Sequence, residues 1–220
     1  DIHKFSTGLA NACMKKGVKF EFGQDVFAVD HQAQQITVKC RPSPENVRAD
    51  AEDVLEIQAD AIVVCAGVSS YQLADLLGER VNVYPVKGYS ITVKLNDEQS
   101  QQNAPWVSLL DESAKIVLSR LGKDRLRVAG TAEFNGYNRD IRVDRIQPLI
   151  DWTQRNFDLC TEHVVPWAGL RPMMPNMMPV VCRGRQERVF YNTGHGHLGW
   201  TLSAATAAMI SQEIAQHYPA

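Results

Sequence analysis

The sequence has 220 residues, of which 45% are hydrophobic and 22% are charged, and its formal net charge at pH 7 is −2. This is the composition of an ordinary globular protein able to bury one or two cores, which excludes a disordered chain. No basic face or apolar run of membrane-spanning length is present, so neither nucleic acid binding nor a transmembrane segment is expected.

Cysteine and histidine usage indicates no metal or disulfide chemistry. The five cysteines are odd in number, widely spaced and without a C-x-x-C pair, which is typical of reduced thiols in a cytosol. His195 and His197 lack a third ligand at a suggestive spacing, so we interpret them as loop residues and expect no metal.

The first 60 residues predict a helix, a parallel strand and a small meander. Apolar residues at positions 5, 9 and 13 share one helical face, and Gly17 marks its end. Strands are expected at 18–22 and 26–29. Two more, at 36–40 and 54–59, flank a polar turn at 41–53.

Residues 61–67 (AIVVCAG) form an apolar run ending at a glycine, which is typical of a strand buried on both faces of an α/β sheet. Gly67, Ser69 and Ser70 then open a helix. The turn suits a backbone approach to a cofactor, although an ordinary strand-to-helix turn explains the same residues.

Alternating strands at 83–95, 106–110, 115–121 and 125–132 predict an antiparallel sheet. Residues 85–90 interrupt the first of these strands, and Tyr89 there could turn its hydroxyl toward a substrate or pack on the sheet with that hydroxyl in water.

Two helices are predicted in the C-terminal half. The first spans 146–157 with Pro148 in its first turn, and the second spans 202–217 with an apolar core-facing stripe.

Arg171 lies among Gly, Leu and three prolines, which predicts a rigid loop rather than a central strand. A guanidinium matches a carboxylate with two parallel hydrogen bonds, so an arginine among apolar neighbours indicates an anion receptor. Pairing with a structural Asp or Glu is the alternative.

An apolar strand at 189–191 leads into residues 192–201 (NTGHGHLGWT) and then into the last helix. Strand, glycine loop and helix in this order favour an anion at the free amides. The spacing of Gly194, Gly196 and Gly199 fits the dinucleotide pattern, but the second strand and acidic residue of that pattern do not follow. A plain glycine-rich turn is the alternative.

Three segments together, residues 83–90 (VYPVKGYS), 169–172 (GLRP) and 192–201, resemble the bacterial D-amino acid dehydrogenases of the D-amino acid oxidase family. The resemblance implies an α/β (α+β) flavoprotein that binds FAD. Residues 1–80 would be the remainder of an FAD-binding domain with a parallel sheet that lacks its N-terminal dinucleotide-binding turn.

The resemblance also implies the rest of the domain plan and the site. Residues 81–165 would form an antiparallel substrate domain, and 166–220 would carry the arginine loop, the flavin loop and the helix returning to the FAD domain. Arg171 and Tyr89 would bind substrate. The implied cofactor-binding residues are Val26, Ala66, Gly67, Gly194, His195, Gly196, Leu198, Gly199, Trp200 and Thr201.

The implied reaction is oxidative deamination of a D-amino acid to a 2-oxo acid and ammonia, by hydride transfer from Cα to flavin N5 without an assigned general base. Electrons would pass to a quinone or another acceptor, in the cytoplasm or peripherally at the inner face of a bacterial membrane. The alternatives are a glycine- or sarcosine-type amine oxidase, and a carboxylate-binding module or fragment without flavin.

Overall fold

The computed structural model describes residues 2–32, 35–44 and 54–218. The chain divides into two units: the first comprises Asp1–Asn82, Pro179–Thr193 and Thr201–Ala220, and the second comprises Val83–Met178 and Gly194–Trp200. The helices are α1 (Ile2–Lys15), α2 (Ser70–Leu76), α3 (Glu98–Asn103), α4 (Val143–Asn156) and α5 (Gly199–His217). The strands are β1 (Gln24–His31), β2 (Ile36–Pro42), β3 (Leu55–Ala59), β4 (Ile62–Val64), β5 (Tyr84–Lys94), β6 (Leu109–Asp111), β7 (Ile116–Arg120), β8 (Arg125–Glu133), β9 (Val164–Met173), β10 (Val180–Arg183) and β11 (Val189–Thr193).

The first unit begins with α1, and Gly17 stops this helix as predicted. Gly17 has a φ of +90°, and its amide donates to the carbonyl of Met14 at 3.0 Å, while the amide of Val18 donates to Cys13 at 3.1 Å. These two bonds form a Schellman cap. The strand predicted at 18–22 is wrong, because these residues, all described, form no strand and the cap engages the amide at their start.

Strands β1, β2 and β3 form the predicted antiparallel meander. Of the turn predicted at 41–53, residues 45–53 lie outside the described residues.

A second sheet of the first unit has the order β10, β11, β4, with β11 parallel to β4. The mixture of parallel and antiparallel strands confirms the predicted α/β class. Val64 is 1% exposed but its neighbour Val63 is 37% exposed. Burial of β4 on both faces, as the apolar run predicted, is therefore not found within the described residues.

The second unit is built on a five-stranded antiparallel sheet of order β6, β7, β8, β5, β9, which confirms the predicted sheet. Ile91, Leu118, Leu126 and Val128 are each 0% exposed and cluster with Leu149 of α4. Each such side chain contributes about 1.5–3 kcal/mol by its burial. The packing of α4 over this face fixes the sheet that carries the site.

The predicted break in the first strand of this sheet is wrong, because β5 is continuous from Tyr84 to Lys94. What the motif produces instead is a register shift against β8 between Lys87 and Tyr89. The pairing of β5 with β9 has no such shift.

The prediction of a rigid loop around Arg171 is also wrong. Residues Val164–Met173 form β9, which pairs with β5 and ends the order of the sheet. An edge strand tolerates proline because the missing N–H can face away from the neighbouring strand. Residues 166–178, which the sequence grouped with the C-terminal helix, belong to the second unit because this strand joins its sheet.

Helix α4 begins at Val143, three residues before the predicted start, so Pro148 lies inside the helix rather than in its first turn. The residues added at its start include the Arg142 N-cap and Asp144, whose side chains pair at 2.8 Å. The sequence pattern missed this turn because it carries charge rather than apolar periodicity.

Candidate functional site

A cleft of about 930 Å³ lies within the second unit, at the end of the sheet where Arg171 is located. Strands β5, β7, β8 and β9, helix α4 and the loop before α5 all contribute to its walls. The lining residues are Val86, Ala114, Lys115, Ile116, Val117, Ala129, Gly130, Thr131, Ala132, Pro148, Leu149, Arg171, Met173, Gly196, His197, Gly199 and Trp200. Most of this surface is apolar, and no Asp or Glu belongs to the described lining.

The guanidinium of Arg171 lies over the backbone of Gly88 on the neighbouring strand β5. A Cβ atom at Gly88 would overlap Cζ and both terminal nitrogens of Arg171. One of those nitrogens, Nη1, donates a hydrogen bond to the carbonyl of Thr131 at 3.1 Å. Among the described residues the guanidinium is therefore hydrogen-bonded at one nitrogen, and its other N–H groups are available to a ligand.

The electrostatics of Arg171 suit an anion receptor. Within the described part of the chain, no carboxylate forms a salt bridge with it, and burial lowers the pKa of its guanidinium. An arginine remains charged despite such a shift. The Asp or Glu partner considered as an alternative is thus not found among the described residues.

The loop from Gly194 to Trp200 runs beside the end of β9. His195 forms an isolated antiparallel bridge with Met173, and the amide of Gly196 donates to the carbonyl of Pro172 at 2.8 Å. Gly194 and Gly196 have φ values of +77° and +59°, a region that glycine adopts without strain. This pairing brings the loop to the cleft that contains Arg171.

Helix α5 starts at Gly199, at the end of this loop. Trp200 is 53% exposed and lines the cleft, and Leu198 is also exposed, with its amide donating to the carbonyl of His195 at 3.1 Å. Burial lowers the pKa of the His195 imidazole. The neutral imidazole is therefore favoured beside the amide donors of the loop.

Tyr89 lies outside the lining of the cleft. It is 1% exposed, and its hydroxyl donates to Oε2 of Glu133 at 2.7 Å. The hydroxyl of Tyr89 therefore faces Glu133 rather than water. The role of Tyr89 in substrate binding stays a prediction.

The other predicted cofactor residues belong to the first unit. Val26 lies in β1 opposite Cys40 and is 36% exposed. Ala66 and Gly67 follow β4, where Gly67 has a φ of +55° and no atom lies within 4 Å of where its Cβ would be. Thr201 lies in the first turn of α5.

The end of β11 lies near the turn after β4 in this same unit. The pairing of Tyr191 with Val64 brings Asn192 toward Cys65. The side-chain oxygen of Asn192 is buried and has no hydrogen-bond partner within the described chain. Open space at Gly67 and an unsatisfied acceptor at Asn192 both suit a polar ligand.

Among residues 2–32, 35–44 and 54–218, no group of three or more His, Cys, Asp or Glu side chains is arranged to hold a metal ion. In the same residues, none of the helices combines the length and the apolar character needed to cross a bilayer.

Sequence reasoning missed the part of the cleft formed by β7 and β8. Val117, Ala129 and Thr131 supply one wall, and Thr131 has a φ of +67°. The residue type gives no signal of this, because threonine rarely adopts a left-handed backbone. The register of β7 against β8 and of β8 against β5 places these residues, and register was not read from the sequence.

The chain belongs to the DAO family of FAD-dependent oxidoreductases, whose model matches residues 1–213. This agrees with the family resemblance of the three sequence motifs. This member of a flavoenzyme family thus contains an arginine in a cleft over an antiparallel sheet, with a glycine loop beside it.

Curated relatives match this chain over its whole length. D-amino acid dehydrogenase 3 of Mesorhizobium japonicum is 56% identical over 220 residues, which are 100% of this chain and 51% of that protein. D-amino acid dehydrogenase of Dechloromonas aromatica is 38% identical over 222 residues, covering 100% of this chain and 50% of its own length. The chain therefore spans about half the length of the curated relatives it matches.

Solved structures share the fold at low identity. Glycine oxidase from Geobacillus kaustophilus has a TM-score of 0.70 at 16% identity, over 88% of this chain and 48% of that one. L-alpha-glycerophosphate oxidase from Mycoplasma pneumoniae, with FAD bound, has a TM-score of 0.74 at 15% identity, over 94% of this chain and 54% of that one.

Proposed function

We propose that this chain is part of an FAD-dependent D-amino acid dehydrogenase, which oxidises D-amino acids to 2-oxo acids and ammonia. The observation that carries the proposal is the Arg171 guanidinium, which lines a mostly apolar cleft beside the glycine loop without a carboxylate partner among the described residues. The names and the 56% and 38% identities of the curated relatives support the same activity.

Arg171 would bind the substrate carboxylate through its nitrogens not used by Thr131. A bidentate pair in a partly buried cleft fixes both the position and the rotation of the amino acid. The aliphatic lining at Val86, Val117 and Ala129 would then contact the rest of the substrate. Orientation of Cα toward the oxidant is the main contribution expected from these residues.

In the second unit, the Gly194–Trp200 loop would contact FAD. In the first unit, Val26, Ala66, Gly67 and Thr201 are the residues proposed to contact it. The open space at Gly67, the unsatisfied oxygen of Asn192 and the left-handed glycines of the loop are compatible with a polar cofactor. Loop amides and the start of a helix stabilise negative charge. The same groups would favour an anionic reduced cofactor.

The chemistry expected of bound FAD is two-electron oxidation, in which a hydride leaves the substrate Cα. The imino acid that results hydrolyses to the 2-oxo acid and ammonia. No side chain is assigned as a general base, because none is required if the substrate amine binds in its neutral form. The amine would lose its proton before oxidation, and the protein residues act by binding and orientation.

A quinone is the proposed electron acceptor, with peripheral attachment at the inner face of a bacterial membrane as the corresponding location. Both come from the family resemblance. Two alternatives remain testable: a glycine- or sarcosine-type oxidase, which the shared fold of glycine oxidase favours, and a carboxylate-binding module without flavin.

The first experiment is the visible absorption spectrum of the purified protein after incubation with excess FAD and desalting. Retained flavin that is bleached anaerobically by D-alanine, but not by glycine or L-alanine, is expected. Bleaching by glycine alone would select the oxidase alternative. A colourless protein that still binds benzoate would select the flavin-free module.

Substitution of the arginine tests its role. Arg171→Lys keeps the charge but removes the planar fork, so we expect KM for D-alanine to rise roughly tenfold or more. Arg125→Lys is the matched control, because Arg125 is half exposed in the same sheet and lies outside the cleft. Equal kinetics of the two variants would remove Arg171 from the substrate site.

A further inference from the structure

A β-bulge lies directly beside Arg171. Strands β5 and β8 pair at Lys87 with Glu133 and again at Tyr89 with Gly130. Between these pairs β5 has one residue, Gly88, whereas β8 has two, at positions 131 and 132. Such an extra residue bends its strand and re-aims the backbone.

The bulge presents a backbone carbonyl to the arginine. Thr131 has a φ of +67°, a backbone conformation that a residue with a Cβ rarely adopts. Its carbonyl accepts the hydrogen bond from Nη1 of Arg171 at 3.1 Å. Across the bulge, Gly88 leaves the space that the guanidinium occupies. The Thr131 carbonyl and the space at Gly88 together fix the position of the Arg171 guanidinium.

Glu133 ties the bulge to its surroundings. Its side chain is 10% exposed, and Oε2 accepts from the hydroxyl of Tyr89 at 2.7 Å and pairs with Nζ of Lys87 at 3.1 Å. The other oxygen, Oε1, pairs with Arg145 at 3.2 Å and with Arg142 at 3.8 Å. The Glu133 carboxylate, with two hydrogen bonds and two further ion pairs, therefore fixes the end of β8.

Lys87 holds the β5 side of the same bulge. It is 0% exposed, and besides Glu133 its ammonium donates to Oδ1 of Asn138 at 3.0 Å and to the carbonyl of Asp140 at 3.1 Å. The ammonium of Lys87 therefore makes two hydrogen bonds and one ion pair. The buried ion pair of Lys87 and Glu133 joins β5 and β8 on one side of the bulge.

We propose that Glu133 is a positioning residue for Arg171, acting through the bulge at Thr131 and the buried pair with Lys87. Glu133 sets where β8 ends, the bulge then sets where the Thr131 carbonyl points, and that carbonyl orients the guanidinium. This inference rests on the proposed role of Arg171 as a carboxylate receptor.

The test uses Glu133→Gln, which keeps the shape of the side chain and removes its charge. The affinity of the FAD-incubated protein for benzoate is measured by calorimetry, and the Nε–H signal of Arg171 is followed by NMR with Arg171→Lys for assignment. We expect benzoate binding to weaken by about 2- to 30-fold and the Arg171 signal to shift or broaden. Glu162→Gln, at an exposed position of the same unit, is the matched control.

Two further variants separate positioning from stability. Glu133→Asp keeps the charge and should recover part of the affinity. Leu126→Ala destabilises the core away from the bulge and should leave the Arg171 signal in place in the folded protein. If Glu133→Gln does not fold, Arg145→Gln decides, because Arg145 is 43% exposed and contacts Glu133 directly, and a smaller change in the same direction is expected.

An unchanged affinity and an unchanged Arg171 signal in the folded Glu133 or Arg145 variant would overturn the proposal. Loss of benzoate binding in Arg171→Lys but not in Glu133→Gln would leave the receptor in place and reject the positioning role. Equal binding by Arg171→Lys and the original protein would reject the receptor itself, while the NMR signal still reports whether Glu133 orients Arg171.

Discussion

The guanidinium of Arg171 occupies the space over Gly88 that a side chain on β5 would fill. Gly88 pairs with Gly169 on β9, so two glycines face each other across the strands that carry the arginine. Gly88 has no positive φ, and the need for glycine here comes from the close approach of Arg171 rather than from backbone conformation.

Gly88→Ala should therefore displace Arg171. The added methyl overlaps the guanidinium, and overpacking of this kind costs about 1–3 kcal/mol. We expect benzoate affinity to fall about tenfold or more, measured by calorimetry on the FAD-incubated protein.

Gly8→Ala is the control for this change. Gly8 lies in α1, and apart from the neighbouring backbone of this helix no atom of the described residues lies within 4 Å of where its Cβ would be. Alanine is the better helix former by about 1 kcal/mol, so this variant should keep its affinity and unfold at the same or a higher temperature. A Gly88→Ala protein with undiminished affinity would show that Arg171 can bind from another position.

Gly194→Ala is expected to disturb the loop beside the cleft. Gly194 has a φ of +77°, and a Cβ there would lie 2.6 Å from Cγ of Met174. Since Cγ is not the free end of the methionine, the loop or the residue after β9 must shift. We expect lower retention of FAD after desalting, measured by absorption.

Gly122→Ala is the control that separates the backbone strain of Gly194→Ala from its steric clash with Met174. Gly122 also has a φ of +77°, but the nearest atom to its Cβ would be Oδ1 of Asp124 at 3.6 Å. Both variants carry a left-handed alanine costing about 1–2 kcal/mol, and only Gly194→Ala carries the clash. Equal FAD retention by the two would mean that the loop does not contact the cofactor.

Apolar periodicity predicted much of the fold because it reports which residues are buried. The antiparallel sheet and the helices α1, α4 and α5 follow from this signal. It failed for residues 18–22, where the cap of α1 uses the first amide, and for β9, where prolines were taken as loop markers. Whether a proline lies at a sheet edge depends on strand order, which a single sequence does not state.

For the candidate site, the sequence indicated chemistry better than geometry. Arg171 and the glycine loop were identified from residue types, and they lie at one cleft. Thr131 and Glu133 were missed. Their roles depend on a bulge between β5 and β8, and a threonine at positive φ has no sequence signature. Arg171 and the glycine loop can be predicted from residue type alone, whereas Thr131 and Glu133 require knowledge of the long-range strand register.

Leu126→Ala tests the core that supports the site. Leu126 is 0% exposed in the cluster beneath α4, and removal of its side chain leaves a cavity. We expect the free energy of unfolding to fall by about 2–5 kcal/mol in urea denaturation. Leu121→Ala, at a 36% exposed position, should cost clearly less. Similar losses in both would contradict the assigned core.

Acid should destabilise the second unit through Glu133. The hydrogen bond from Tyr89, followed by those from Lys87 and Arg145, lowers the pKa of Glu133 from 4.5 to about 2. Because the pKa is lower in the folded state, the stabilisation is fully present above pH 4.5 and is lost as the pH falls toward 2.

Thermal unfolding measured between pH 6 and pH 2 should therefore show a steep loss of stability between pH 4.5 and pH 2. Glu133→Gln is expected to be less stable at pH 6 and to depend less on pH there, whereas Glu162→Gln should follow the original curve. Parallel curves for Glu133→Gln and the original protein would mean that Glu133 keeps an ordinary pKa and that its four contacts do not hold the end of β8.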